Sequence, residues 1–296
     1  MRVAVIVNPV AGVRGTLERA RRRAERAHEV LTSASVEPEI LITERAGHAR
    51  DLALGAVERG ARIVVAWGGD GTVNEVASAL AFGPAALGVI PAGSGNGLAR
   101  MFRIPSDPGR ALTQMLQAAD RRIDLGEVNG RLFVNVAGVG FDAHVAERFA
   151  ALERSRRGFL RYAAIVAREL GRYQAGAYAV TLDGQAQHPR RAFLVSFANG
   201  RQWGNGAVIA PAAETDDGVL DAVIVDARSL AGTIGALPRL FAGSVDRLRG
   251  VQIVKVKTAE VVAQSDRLIC HVDGEPMEAG AVARVRIHPG SLRVRM

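Results

Sequence analysis

Over the first 120 residues, short β-branched runs at 3–7, 40–43, 63–67 and 87–90 alternate with stretches of helical periodicity at 17–31, 46–58, 72–80 and 108–119. A chain that keeps switching between extended and helical segments at this spacing builds βαβ units around a mostly parallel sheet. Strands of such a sheet are buried on both faces, which accounts for Ile63-Val64-Val65-Ala66, a run with no polar alternation. Near Arg121 the pattern changes. Strands are predicted at 122–128, 132–139, 177–182, 191–198, 219–225, 251–256, 260–263, 268–272 and 282–287, with helical interruptions at 144–173 and 229–241. A run of strands after a run of βα units predicts a second, mainly antiparallel β domain. The expected class is therefore α/β, with domains at 1–125 and 126–296 and a C-terminal tail that can return to the first. No internal repeat and no low-complexity linker occurs.

Composition narrows the function. The chain has 296 residues, 48% hydrophobic and 23% charged, a globular balance long enough for one large domain or two ordinary ones. Cys270 is the only cysteine, so a disulfide scaffold is excluded. No uninterrupted apolar run approaches the roughly 18 residues of a membrane span. The N-terminal apolar stretch stops at Asn8-Pro9, unlike a signal peptide. A cytoplasmic protein is expected. The net charge is +8, and all but two of the 38 basic residues are arginine. Such an excess suits an anionic surface, but it also dresses ordinary surfaces in an arginine-biased chain. Nucleic-acid binding is not expected, because no recognised module is present and aromatic residues are only 5%.

Two glycine-rich loops carry the chemistry. Trp67-Gly68-Gly69-Asp70-Gly71-Thr72-Val73-Asn74-Glu75 follows a buried strand and opens a helix. Its glycines let backbone approach a ligand, and the helix aims free N–H groups and its positive end into the loop. Phosphate is the expected occupant. Asp70 fits beside phosphate if Mg²⁺ sits between them; otherwise it is a helix cap. Pro91-Ala92-Gly93-Ser94-Gly95-Asn96-Gly97 follows the next strand, and Asn8-Pro9-Val10-Ala11-Gly12 ends the first one in the same way. Ligands of open α/β sheets bind at the carboxyl ends of the strands, where all three loops fall. No P-loop signature occurs, and no G-x-G-x-x-G follows the first strand.

In order along the chain, Asn8-Pro9-x-x-Gly12, Thr43-x-x-x-Gly47-His48-Ala49, Gly68-Gly69-Asp70-Gly71-Thr72-x-Asn74-Glu75, Pro91-x-Gly93-Ser94-Gly95-Asn96, Gly138-x-Gly140-Phe141-Asp142-Ala143, Asp217-Gly218-x-Leu220-Asp221 and Asp273-Gly274-Glu275-Pro276 resemble the catalytic domain of the diacylglycerol kinase and sphingosine kinase superfamily. The likeness is greatest to bacterial lipid kinases of the YegS/BmrU type. It implies an ATP-dependent kinase of a lipid hydroxyl, with a phosphofructokinase-like N-terminal α/β domain, a C-terminal antiparallel β-sandwich and a site between them. It places Asn8, Pro9, Gly12, Thr43, Gly68, Gly69, Asp70, Gly71, Thr72, Asn74, Glu75, Gly93, Ser94 and Asn96 at ATP. Asp70 serves Mg-ATP, and Glu275 is the general base on the acceptor. A structural Mg²⁺ falls on Glu214, Asp217 and the Val219 carbonyl. By pattern alone Glu275 is an exposed residue after an Asp-Gly hairpin turn, and Glu214–Asp217 is either a solvated turn or a cluster of hard oxygen donors. Asp142 is a site carboxylate or a turn residue. Two positions depart from the family pattern. Gly97 stands where members often carry Asp, which leaves the acceptor open among diacylglycerol-like, phosphatidylglycerol-like and sphingoid lipids. Val13 stands where members often carry a basic residue, so Arg14 is the candidate phosphate ligand.

A lipid acceptor implies contact with a membrane surface. The 144–173 stretch carries Arg148, Arg154, Arg156, Arg157, Arg161, Arg168 and Arg172 among Phe149, Leu152, Phe159, Leu160, Ile165 and Leu170. That mixture suits an anionic interface or an ordinary helix packed on its own domain, broken into two at Ser155-Arg156-Arg157-Gly158. Arg19-Ala20-Arg21-Arg22-Arg23 reads as a solvated helix face. The competing readings are an NAD kinase, which shares Gly-Gly-Asp-Gly-Thr but takes a soluble acceptor, and a non-catalytic nucleotide or lipid sensor.

Overall fold

The computed structural model describes residues 1–12, 17–152, 159–187, 190–264 and 267–296. The chain divides into two units, Met1–Ile123 joined by Gly290–Met296, and Asp124–Pro289.

The first unit runs β1 (Arg2–Val7), α1 (Leu17–Ser33), β2 (Glu37–Ile42), α2 (His48–Glu58), β3 (Ile63–Gly68), α3 (Asp70–Leu80), β4 (Ala86–Pro91), α4 (Gly97–Met101) and α5 (Pro108–Gln117). Its strands lie parallel in the order β2-β1-β3-β4, with Val5 opposite both Ile40 and Val65, and Val65 opposite Gly88. Val3, Val5, Val7, Ile63, Val65 and Trp67 share one core with Ala20, Ala27 and Leu31 of α1 and Ala111, Leu112 and Met115 of α5. The alternate residues of the strands turn to α2 and α3, which bury Ala49, Ala53, Ala56, Val73, Val76 and Ala77. Helices on both faces leave one position for a ligand, the loops at the strand ends.

β5 (Arg121–Val128) runs from the first unit into the second, which continues with β6 (Arg131–Phe133), β7 (Val136–Gly140), α6 (Phe141–Ala150) and α7 (Phe159–Leu170). That unit goes on through β8 (Gly176–Leu182), β9 (Gln185–Ala186), β10 (Arg190–Ala198), β11 (Gln202–Gly204), β12 (Ala207–Val208), β13 (Leu220–Asp226) and α8 (Leu230–Phe241). β14 (Val251–Val256), β15 (Thr258–Ala263), β16 (Leu268–Val272), β17 (Glu275–Gly280) and β18 (Val282–Val294) complete the chain. Its pairings β10–β7, β10–β13, β13–β14, β16–β7, β16–β17, β15–β8 and β15–β18 are all antiparallel. Phe133, Phe197, Val139, Val180, Ile224, Val261 and Val272 fill the core between them.

Three local expectations change. The single strand expected over 132–139 is two, β6 and β7, because Asp273 takes the N–H groups of Val134, Asn135 and Val136 that a ladder would have used. The helical stretch expected over 144–173 starts earlier, at Phe141, while its expected division gives α6 and α7; Arg154, Arg156, Arg157 and the Ser155-Gly158 break lie outside the described residues. β17, read as the exposed end of a turn, is a strand paired with β16, from Val272 opposite Glu275 onward. The turn itself is the expected one, with Asp273 at φ 48° and Gly274 at φ 83°, the left-handed pair that closes a tight hairpin. Finally, β18 carries on past the second unit, and its end lies parallel to β4, Arg293 opposite Ala86 and Val294 opposite Leu87.

Candidate active site

In the first unit the β3–α3 and β4–α4 loops are pressed together so closely that side chains are excluded. A Cβ on Gly93 would lie 2.6 Å from Gly69 Cα, and one on Gly95 would lie 2.5 Å from Asp70 Oδ2. A Cβ on Gly68 would meet Thr72 Oγ1 at 2.4 Å. Contact with the Gly69 backbone explains Gly93, and contact with the Thr72 and Asp70 side chains explains Gly68 and Gly95, before any ligand is considered. Asp70 is the rivet. Its Oδ2 accepts the Asn96 N–H at 2.8 Å and its Oδ1 accepts the Gly97 N–H at 2.7 Å, so it caps α4 rather than its own helix. Asn96, at φ 50°, closes its own loop by accepting from Gly93 N and donating to Gly93 O. The helix α3 that opens at Asp70 has Gly69 at its N-cap and no capping side chain. The positive end of α3 thus faces the loop without a capping side chain, a setting that favours an anion.

The β1 loop joins this arrangement. Asn8 Nδ2 donates to Thr72 Oγ1 at 2.8 Å, its Oδ1 accepts from Val10 N, and its backbone N–H donates to Trp67 O. Pro9 lies within this turn, and Gly12 adopts φ 95°, where an added Cβ would also sit a tight 3.2 Å from Ala92 O. Thr43, buried, donates its N–H to Val7 O and ends the adjacent strand. Ser94 is exposed at the tip of the second loop, while Gly71 and Asn74 are half-buried in α3. Arg14 lies outside the described residues.

Two residues play parts that sequence spacing did not show. The carboxylate of Glu75 accepts from Gly47 N at 2.9 Å and Ala49 N at 3.0 Å, holding the first turn of α2 instead of facing the loops. His48 of that turn accepts the Glu44 N–H on Nδ1. Arg23 is half-buried over the Trp67 ring, 5.8 Å from its centroid, and donates to Asn8 O and Ala11 O. Burial, with help from Arg19, lowers its pKa below the ordinary arginine value. Within a run of arginines nothing marks this one as the tether of a ligand loop; its neighbours Arg19, Arg21 and Arg22 are exposed as expected.

In the second unit, Glu275 opens β17 half-exposed and ion-paired with Arg131. The turn before it is clamped twice. Asp273 takes three backbone N–H groups at 2.8–3.0 Å, and His271 Nδ1 accepts from Gly274 N. Asp142 is a buried carboxylate that accepts from Ser196 Oγ and from Ala143 N. The buried His271 places Nε2 at 3.1 Å from Asp142 Oδ2, outside hydrogen-bond geometry. Cys270 is buried beside them, and burial raises its thiol to about 11, which disfavours the thiolate.

The acidic turn is organised differently from a metal cage. Glu214 is exposed, Asp217 is ion-paired with Lys255 and accepts the Val219 N–H, and Gly218 N donates to Asp124 Oδ2 at 2.7 Å. Among the described residues no three acidic, histidine or cysteine side chains converge to hold an ion. Burial raises the Asp221 pKa next to this turn, opposed by Lys255. A lysine ammonium on Asp217 does not fit a cation bound through the same carboxylate.

The first unit is a parallel sheet with glycine-rich loops at its strand ends, and the second is a mainly antiparallel β unit. Residues 2–128 match the diacylglycerol kinase catalytic domain, and residues 135–296 match the YegS C-terminal NAD kinase beta sandwich-like domain. The chain belongs to this lipid kinase family and is an enzyme of the kinase class. It is 36% identical over 278 residues to a Pseudomonas aeruginosa protein described as "Probable lipid kinase YegS-like", covering 89% of this chain and 86% of the other. It is 31% identical over 292 residues to a Mycobacterium tuberculosis diacylglycerol kinase, covering 95% and 92%. The crystal structure of a diacylglycerol kinase from Bacillus anthracis shares the fold, with a TM-score of 0.72 at 20% identity over 99% of this chain and 96% of that one.

Proposed function

We propose that this chain transfers the γ-phosphate of Mg-ATP to the hydroxyl of a membrane lipid. The observation that carries the reading is the Asp70 rivet, a carboxylate fixed by two N–H groups between two glycine loops and at the mouth of an uncapped helix. Phosphates suit the α3 N–H groups, and Asn8, Thr72, Ser94 and the glycine backbones surround that end of the helix. The two hydrogen bonds fix the Asp70 carboxylate in place, and a carboxylate at this position fits beside the Mg²⁺ that arrives with ATP. That ion, when bound, neutralises charge developing on the phosphoryl oxygens. Arg23 holds the Asn8–Ala11 carbonyls in place. Glu275 serves as general base on the acceptor hydroxyl, with its carboxylate oriented by the ion pair to Arg131. The arrangement of Glu214, Asp217 and Val219 gives no support to a second, structural Mg²⁺, and no step depends on one.

The test is incubation of the purified chain with γ-labelled ATP, Mg²⁺ and micelles of diacylglycerol, phosphatidylglycerol or a sphingoid base, with NAD in a parallel tube. Label in one lipid, lost in Glu275→Ala and in a folded Asp70→Asn, is the expected result and names the acceptor. Label in NAD alone would assign a soluble acceptor. ATP binding without transfer to any acceptor would make the chain a sensor.

A further inference from the structure

Among the described residues nine large apolar side chains are exposed, and three of them sit on one helix, α8. Leu230, Ile234 and Phe241 are 48%, 51% and 58% exposed, and no residue of α8 is buried. At about 100° per residue their spacings of four and seven place all three within a stripe of roughly 40°. The helix is attached along a different side, where Leu240 reaches the cluster of Val136, Ala198, Ile209 and Ala213. The stripe is therefore not the helix's packing face.

The charges around it are mainly positive, with Asp246 in the segment and Asp226 against Gly250 as the carboxylates. α8 itself carries only Arg239, Arg228 precedes it, and Arg247 and Arg249 follow, against a single carboxylate, Asp246, between residues 228 and 249. Arg228 is bonded to the Arg249 carbonyl, which brings the two ends of the segment together. α6 and α7 show the opposite arrangement. Of their described residues, Phe141, Phe149, Leu152, Ile165 and Leu170 pack with one another and with Tyr173 and Phe193, while Tyr162 is exposed.

We propose that α8 is the membrane-docking element of this enzyme, lying in the plane of an anionic bilayer with Leu230, Ile234 and Phe241 at the acyl boundary and Arg228, Arg247 and Arg249 at the phosphate level. An exposed apolar stripe with arginines at both ends is complementary to such an interface. The proposal rests on the lipid kinase reading for its purpose, but its binding step needs neither ATP nor turnover.

The experiment is co-sedimentation of the full chain, without nucleotide, with vesicles of phosphatidylcholine containing about 30% phosphatidylglycerol and with pure phosphatidylcholine vesicles. Replacement of Leu230, Ile234 and Phe241 by Gln should weaken partitioning to the mixed vesicles by at least about tenfold, with thermal unfolding unchanged because the side chains are exposed. Arg247→Gln with Arg249→Gln should lower the preference for the anionic vesicle by about threefold or more. Phosphorylation of a short-chain acceptor in free solution should stay within about twofold, since no interface is involved. Partitioning of the triple Gln variant within about twofold of wild type overturns the proposal. So does a change from dimer to monomer with vesicle binding intact, which would assign the stripe to a second copy of the chain. Vesicle binding that depends on α8 in a protein phosphorylating no lipid would leave the docking role standing and remove the kinase reading; the converse result would do the reverse.

Discussion

Gly93 and Asp70 show how a ligand loop is built at the scale of single atoms. Alanine at 93 would put its Cβ 2.6 Å from the Gly69 backbone, which cannot swing away as a side chain does. Gly93→Ala should therefore cost about 1–3 kcal/mol of stability and weaken nucleotide binding, read by urea unfolding and by ATP titration. Asp70→Asn keeps the volume but offers a single acceptor oxygen to two N–H groups, Asn96 and Gly97. It should lose about 1–2 kcal/mol in the same unfolding assay and abolish phosphoryl transfer. Stability equal to wild type would mean that the carboxylate does not tie the loops. The glycines, Asp70 and Asn96 stood out in the sequence because few other residues tolerate such close approach or left-handed backbone. Arg23 did not, since its role comes from Trp67 beneath it and the carbonyls beside it.

Elements in this chain are fastened by carboxylates reaching across from neighbours. Glu75 of α3 caps α2, so Glu75→Ala should destabilise the first unit by about 1–2 kcal/mol, measured by denaturant unfolding and by faster amide exchange at Gly47 and Ala49. In the second unit His144 of α6 and Glu169 of α7 are joined at 2.9 Å, and hydrogen bonds from His144 and then Arg168 hold the Glu169 carboxyl below the usual glutamate value. A carboxyl depressed in the folded state contributes stability that is present above its unfolded value, about 4.3, and lost as pH falls through the lowered one. Glu169→Gln should flatten that acid limb of the stability curve and leave the neutral-to-basic limb unchanged in shape. Periodicity revealed most helices and strands, because burial imposes it. It could not divide β6 from β7 or extend β17, since those boundaries depend on Asp273 and on pairing with β16.

For the whole molecule, the end of the chain matters most. Leu292 and Val294 are fully buried, and Arg293 and Val294 add a strand beside β4. Removing residues 290–296 should lower the stability of the first unit by roughly 3–5 kcal/mol, the burial of two large aliphatic side chains, with a matching fall in Tm. An unchanged Tm would show that the final strand is an accessory. At this scale the two units match the two domains of the lipid kinase family in order along the chain.

By itself the sequence determined the α/β class, the change to antiparallel strands near residue 121, the glycine loops at the strand ends and the kinase family. All of these follow from local rules: burial period, turn chemistry, and the few residue types that let backbone approach phosphate. Only the tertiary structure decided which partner each polar group meets. It gave Asp70 to α4, Glu75 to α2, Asp217 to Lys255, and the apolar stripe of α8 to the surface, because each of those outcomes depends on residues distant in the chain that the fold alone brings together or keeps apart.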